Sequence, residues 1–312
     1  MARRPVAPAL TFRAAPVRLR VPASSANLGP GFDAFGIALD WYDDMVAQVS
    51  DEAGIFVDVV GEGADAVPRD AKHLVIKSMH AAFDAMGARP AGLSLVTANH
   101  IPHGRGMGSS SAAIVGGIVL ARALVVGGDE LLDDSAALRL AASIEGHPDN
   151  VAAALLGGVT IAWGGAEDAT ALRLAPAPSL QLVVCVPATP VATKKARGLL
   201  PEQVPHVDAA FNAGRAALLT AALTEHPELL LEATEDRLHQ EYRKSAMPKS
   251  FALLKSLRER GHAAVISGAG PTVLVLSTDN IASEVAAVAG EGFETEVVSV
   301  SKTGAHLVAL DA

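Results

Sequence analysis

A single cysteine in 312 residues allows no internal disulfide, which excludes a cross-linked secreted scaffold and makes a reducing cytoplasm the expected compartment. That residue, Cys185, lies in the Leu-Val-Val-Cys-Val run at 182–186, which reads as a buried strand. It is therefore a core thiol rather than a nucleophile. Long apolar runs are missing as well. The longest, 112–126, is interrupted by Arg122 and rich in alanine and glycine, whereas a membrane span needs about 20 strongly apolar residues. Arg3, Arg4 and Arg13 are followed by no continuous apolar stretch before Arg18, so no signal peptide is expected. Positive charge is in deficit: 25 lysines and arginines face 34 acidic residues, a net charge of −9. That balance argues against a general nucleic-acid or anionic-membrane binder. Internal repeats and low-complexity tracts are also absent.

What is present is globular. Half the residues are hydrophobic and 19% charged, and the chain is long enough for two domains with proper cores. Residues 17–21, 55–60, 93–97 and 159–163 read as strands. Residues 73–86 carry a helical apolar stripe through Leu74, Val75, Met79, Ala82, Phe83 and Met86, and 135–145 forms a further helix. The polar stretch 164–170, followed by Pro176 and Pro178, marks a boundary between domains. Beyond it come strands at 182–187, 263–267, 272–276, 295–300 and 306–310, with helices at 211–224, 229–235, 250–260 and 281–289. The expected fold is α+β with a helix layer on each sheet: a loose tail over 1–15, one domain over 16–172 and a second over 173–312.

Chemistry concentrates in four segments. The first is Ile101-Pro-His-Gly-Arg-Gly-Met-Gly-Ser-Ser-Ser-Ala-Ala113, where alternate glycines lead into a helix beginning at the serines. Glycines let backbone N–H groups face a ligand, and a helix start adds free donors and a positive dipole, a seat for phosphate. No lysine precedes the serines, so it is not a P-loop. The glycine spacing also fails the dinucleotide fingerprint at its third position, despite Asp129 about twenty residues on. Taken alone, the loop could equally be a turn between strand and helix. The second segment, 21–33, holds Asn27 and Asp33 on a glycine-proline turn, placed to bind a small substrate or to serve as turn residues. The third, Glu145-Gly-His-Pro-Asp-Asn150, offers hard oxygens suited to Mg²⁺. His147 has no second histidine or cysteine at zinc spacing and reads as a turn histidine, and Asn150 could cap the next helix. The fourth combines 192–197 with 238–243, whose arginines suit carboxylates or phosphates or form a surface charge cluster.

In order along the chain, the Ser-Ala-Asn-Leu-Gly-Pro-Gly-Phe-Asp run at 25–33, the loop at 102–112 and the Ser-Gly-Ala-Gly-Pro-Thr turn at 267–272 resemble the three motifs of the GHMP kinase superfamily. Within it, the segments at 145–152, 193–197 and 238–243 are similar to the homoserine kinase family, and the resemblance covers residues 17–310. It implies a two-domain GHMP kinase fold, with a ribosomal-protein-S5-like N-terminal domain and a ferredoxin-like C-terminal domain. It also implies a cytoplasmic enzyme that transfers the γ-phosphoryl of MgATP to the L-homoserine hydroxyl, giving O-phospho-L-homoserine for threonine synthesis. Family members are often dimers, and nothing in the sequence decides that point.

By the same resemblance, Pro102, His103, Gly104, Arg105, Gly106, Met107, Gly108, Ser109, Ser110, Ser111 and Ala112 would wrap the ATP phosphates, with His73 near the base. Ser110 and Glu145 would hold Mg²⁺. Asn27, Asp33, Asp149, Asn150 and Gly268 would line the homoserine site, with Arg197 and Arg243 on its carboxylate and Thr193 near the transferred group. This agrees with the chemistry of a zwitterion, which needs cations at one end and acidic or amide groups at the other. Asp149 stands where a base would act, or Asn150 takes that spot and no base is used; the expectation is positioning without a strong base. Two departures stand out. Met107 replaces the usual leucine, and Lys72-His-Leu-Val75 replaces an asparagine-leucine-valine segment. Rival readings are a GHMP kinase for mevalonate or a sugar, and a non-catalytic ATP and metabolite sensor.

Overall fold

The computed structural model describes residues 10–310. The first half runs β1 (Val17–Ala26), β2 (Phe35–Ser50), β3 (Gly54–Gly61), α1 (Leu74–Met86), β4 (Gly92–Asn99), α2 (Ser109–Leu124), α3 (Gly128–Leu131), α4 (Asp134–Glu145), α5 (Asp149–Leu156), β5 (Val159–Trp163) and β6 (Thr170–Leu174). The second half runs β7 (Gln181–Pro187), α6 (Thr193–Arg197), α7 (His206–Thr224), α8 (Leu230–Ala233), α9 (Pro248–Glu259), β8 (Ala263–Ile266), β9 (Val273–Ser277), α10 (Ala282–Ala289), β10 (Phe293–Val298) and β11 (His306–Val308).

The first sheet has the order β11-β1-β2-β4-β3, with β5 on β2 and β6 on β5; only β3 and β4 pair in parallel. The apolar helix α2 lies against β1, flanked by α1, α4 and α5. Asp133 starts α4 by accepting from Ala136 N at 2.7 Å, and left-handed glycines end both α1 and α4. The second sheet has the antiparallel order β10-β7-β9-β8, which is fourth, first, third, second in sequence. One of its faces, with Leu182, Val184 and Leu274, joins the same core as Leu19 and Ile37 of the first sheet. The other, with Val183, Cys185 and Ile266, packs on Leu254 and Leu257 of α9 and Val285 of α10. Burial pushes the Cys185 thiol up to about 11, as suits a core residue. No described helix is long and apolar enough to cross a membrane.

Three expectations need correction. Residues 1–9 lie outside the described residues, but 10–15 are not loose: Phe12 bridges Val125, Arg13 N donates to Leu124 O at 2.8 Å, and the Phe12 ring meets Phe83 edge-on at 5.7 Å. The cut at 172/173 falls inside β6, and β11 returns to pair with β1, so a single cut does not separate the two sheets. The sequence reading also omitted β2. Its first half is buried on both sides and shows no alternation, and Asp40, Asp43 and Asp44 interrupt its apolar pattern.

Candidate active site

The glycine loop takes its shape from three left-handed residues, Gly104, Gly106 and Gly108, at φ +66°, +75° and +69°. Helix α2 then starts at Ser109 without a side-chain cap, so its first N–H groups remain available to a ligand. The loop is fastened on both sides. Ser24 N donates to Met107 O at 3.1 Å, and Thr272 N to Arg105 O at 3.1 Å. Ser267 Oγ donates to Gly106 O at 2.5 Å, so close an approach that a Cβ on Gly106 would collide with the Ser267 carbonyl.

The loop after β1 is strained where it faces the cleft. Asn27, Leu28 and Asp33 all have positive φ, at +69°, +47° and +55°, a conformation that costs a non-glycine residue about 1 kcal/mol or more. Asn27 Nδ2 donates to Gly268 O at 2.8 Å, and its Oδ1 accepts from Asp33 N at 2.9 Å. The expected division of labour between Asp33 and Arg197 is revised here. Their side chains form a two-pronged ion pair at 2.5 and 3.1 Å, each about one-third exposed, so in this structure Arg197 already faces a carboxylate from the chain itself.

At the α4–α5 junction, Ser110 Oγ and Ser111 Oγ both donate to Glu145 Oε1, at 2.7 and 3.0 Å. His147 Nδ1 lies 2.6 Å from Asp149 Oδ1, which also accepts from Asn150 N at 2.7 Å. Burial opposes the charged form of His147, but the Asp149 hydrogen bond and charge outweigh it and raise its pKa. Asn150 is not the cap of α5, because that helix begins at Asp149. Its Oδ1 accepts from Ser24 Oγ at 2.9 Å, which leaves the amide donor Nδ2 toward Gly268. Among the described residues no group of three or more histidine, cysteine or acidic side chains could hold a metal alone. Ser110 with Glu145 is the donor set that suits Mg²⁺ shared with phosphate oxygens.

Arg243, on the turn at 241–246, is 1% exposed. Its Nη1 donates to His239 Nδ1 at 3.0 Å and Gly268 O at 3.3 Å, while Nε has no partner. Burial, then the Arg197 charge, lowers its pKa to about 10, which leaves it a cation at neutral pH.

These segments enclose a cleft of about 740 Å³ that brings together Asn27, the three loop glycines, Ser109, Ser110, Glu145, Asp149, Asn150, Thr193, Arg197, Arg243 and Gly268. Asp33 borders it through Arg197. A second cavity of about 760 Å³ shares Ser109 and Ser110 and is lined by His73, His103 and Asp43. His73 Nδ1 is buried there without a partner, and burial followed by the His103 charge keeps its pKa below the ordinary value. Five expected loop contacts line neither cavity. Arg105 turns away, donating to Pro187 O at 3.0 Å and to His103 O and Ala188 O at 2.5 Å, and Pro102 lies beside it. Met107 and Ala112 are core residues beneath the loop. Ser111 is buried and reaches the site only through Glu145. Sequence reasoning missed Ser24 and His239, which stood inside the quoted segments without a role, and Asp43, which accepts from His100 N and Ile101 N at 2.6 and 2.9 Å where the loop begins.

The family model of the GHMP kinases N terminal domain matches residues 73–158, and that of the GHMP kinases C terminal domain matches 209–295. The homoserine kinase of Streptomyces avermitilis is 60% identical over 301 residues, covering 96% of this chain and 98% of its own. The chain belongs to the homoserine kinase family of GHMP kinases. The homoserine kinase of Streptomyces coelicolor is 58% identical over 299 residues, 96% of each chain. The crystal structure of homoserine kinase from Cytophaga hutchinsonii matches with a TM-score of 0.82 over 96% of this chain and 100% of its own, at 24% identity. That likeness establishes the GHMP kinase fold for this homoserine kinase family member.

Proposed function

We propose that the protein transfers the γ-phosphoryl of ATP to the side-chain hydroxyl of L-homoserine, giving O-phospho-L-homoserine for threonine synthesis. The observation that carries this reading is one cleft holding both a phosphate seat and a receptor for a zwitterion. The seat is the glycine loop with the free N–H groups of α2. The receptor is Asn27, Asp33, Arg197 and Arg243.

Phosphoryl transfer asks chiefly for alignment and charge neutralisation. Asn27 and Asp33 hold the substrate ammonium, and Arg243 takes the carboxylate, with Arg197 keeping Asp33 in place. The hydroxyl oxygen forms a bond to the γ-phosphorus while the bond to the bridging oxygen breaks. ADP leaves with that electron pair, and the hydroxyl proton is released. Asp149 Oδ1 already accepts from two partners, and Asn150 offers a donor, so the reading invokes no strong base. Ser110 and Glu145 would hold Mg²⁺, which supplies positive charge to the phosphates when bound. His73 and His103 line the cavity suited to the base. The same reading puts the protein in the cytoplasm, where ATP is available and a lone thiol stays reduced.

The test is ADP release from MgATP with L-homoserine, mevalonate, galactose or no acceptor. A response confined to homoserine is expected. Turnover only with another alcohol would replace the substrate, and ATP binding without any turnover would overturn the enzyme reading in favour of a sensor.

A further inference from the structure

Arg243 is a buried cation whose side-chain partner is neutral. Among the described residues no carboxylate pairs with it; it leans instead on His239 and the Gly268 carbonyl. Taking a guanidinium out of water is costly unless a matching anion accompanies it. His239 is itself fully buried, and its bonds fix its state. Nε2 lies 2.8 Å from the Gly29 carbonyl, which can only accept. Nδ1 lies 3.0 Å from Arg243 Nη1, which can only donate. The imidazole is therefore neutral, with its proton on Nε2. Burial is the main reason its pKa falls below the ordinary value, with the Arg243 charge acting in the same direction against that of Asp236. The Asp236 carboxylate is occupied by the backbone N–H groups of Leu238, His239 and Gln240, which set the turn that presents the histidine.

A carboxylate at position 239 would aim Arg243 as well but would also neutralise it. We propose that His239 is a positioning residue for the substrate carboxylate: it orients Arg243 through a neutral acceptor, leaving the guanidinium charge for the ligand. Its other nitrogen ties that arginine to Gly29, within the loop that carries Asn27 and Asp33. Both ends of the zwitterion receptor thus hang on one ring. Phe32 completes the stack, with its centroid 5.3 Å from the His239 ring and the Arg243 and Arg197 guanidinium carbons at 5.4 and 5.7 Å.

The inference rests on the homoserine reading, and its test separates the two. His239→Gln keeps a donor toward Gly29 but loses the acceptor for Arg243, whereas His239→Asn keeps an acceptor near the Nδ1 position. Both are compared in the native and Arg243→Lys backgrounds by steady-state kinetics. His239→Gln should raise the homoserine KM about ten- to a hundredfold, the worth of one hydrogen bond to a charged group. The ATP KM and kcat should stay within about threefold. His239→Asn should recover most of the loss, and in the Arg243→Lys background the Gln change should add little. Additive losses, or an ATP KM rising in parallel, overturn the proposal. If the Gln variant does not fold, His239→Met takes its place; loss of ADP binding in every variant marks a purely structural histidine and also overturns it. A native enzyme inert toward homoserine would instead sink the parent reading.

Discussion

At the scale of single residues, charge pairing decides more than residue type. Asn27, Asp33, Arg197 and Arg243 were legible because they sit in short motifs, and each lies in or beside the cleft. Their mutual arrangement was not legible: Arg197 and Asp33 are 164 positions apart, and nothing local announces that they meet. Asp43 was invisible for a related reason, since an aspartate in a strand reads as a solvated residue. Its carboxylate is buried against two backbone N–H groups, and burial pushes its pKa up to about 6 from 3.8. The folded state therefore holds this proton more tightly than the unfolded chain. Its stabilising contribution is complete below about pH 4 and is lost as pH rises through about 6. Asp43→Asn retains the acceptor without the charge. Urea unfolding should show the variant gaining on the native protein between about pH 4 and 7. A stability difference that ignores pH across that window would contradict the account.

Secondary-structure elements were readable in proportion to how one-sided their environment is. Helix α1 and strand β4 were anticipated within a few residues because each buries a single face. Strand β6 lies inside the stretch that reads as a domain boundary, and helix α6 inside a charge cluster, because both are largely exposed and show little apolar periodicity. The glycine loop was readable because its conformation demands glycine. Gly106→Ala tests that demand, since the new methyl group meets the Ser267 carbonyl in a left-handed backbone. A loss of about 2 kcal/mol or more is expected from the combined conformational and steric cost. Denaturant unfolding measures it, and ATP affinity should fall in parallel because the loop and the turn at 267–272 separate. Native-like stability would refute the close approach.

For the whole molecule, the two halves share more than a cleft. One apolar core runs from Leu19 and Ile37 to Leu182 and Leu274. The segment after β10 is stitched to the first half by Ser301 N on Ala38 O of β2 and Ala305 N on Ala154 O of α5. Calorimetry should therefore record one transition, with calorimetric and van't Hoff enthalpies in agreement; two resolved transitions would contradict the shared core. The fold class was legible because strands and helices interleave in both halves. The return of β11 was not, because three residues carry too little pattern to name a partner more than 280 positions away. That return also sets a schedule for synthesis. Strand β1 is synthesised ahead of both strands it pairs with, and its edge at Arg18–Arg20 stays bare until His306–Val308 emerge. An open edge is a pairing surface for other chains. The first domain is thus translated early but sealed last, so a ribosome that stalls anywhere in the second half releases a product with that edge exposed.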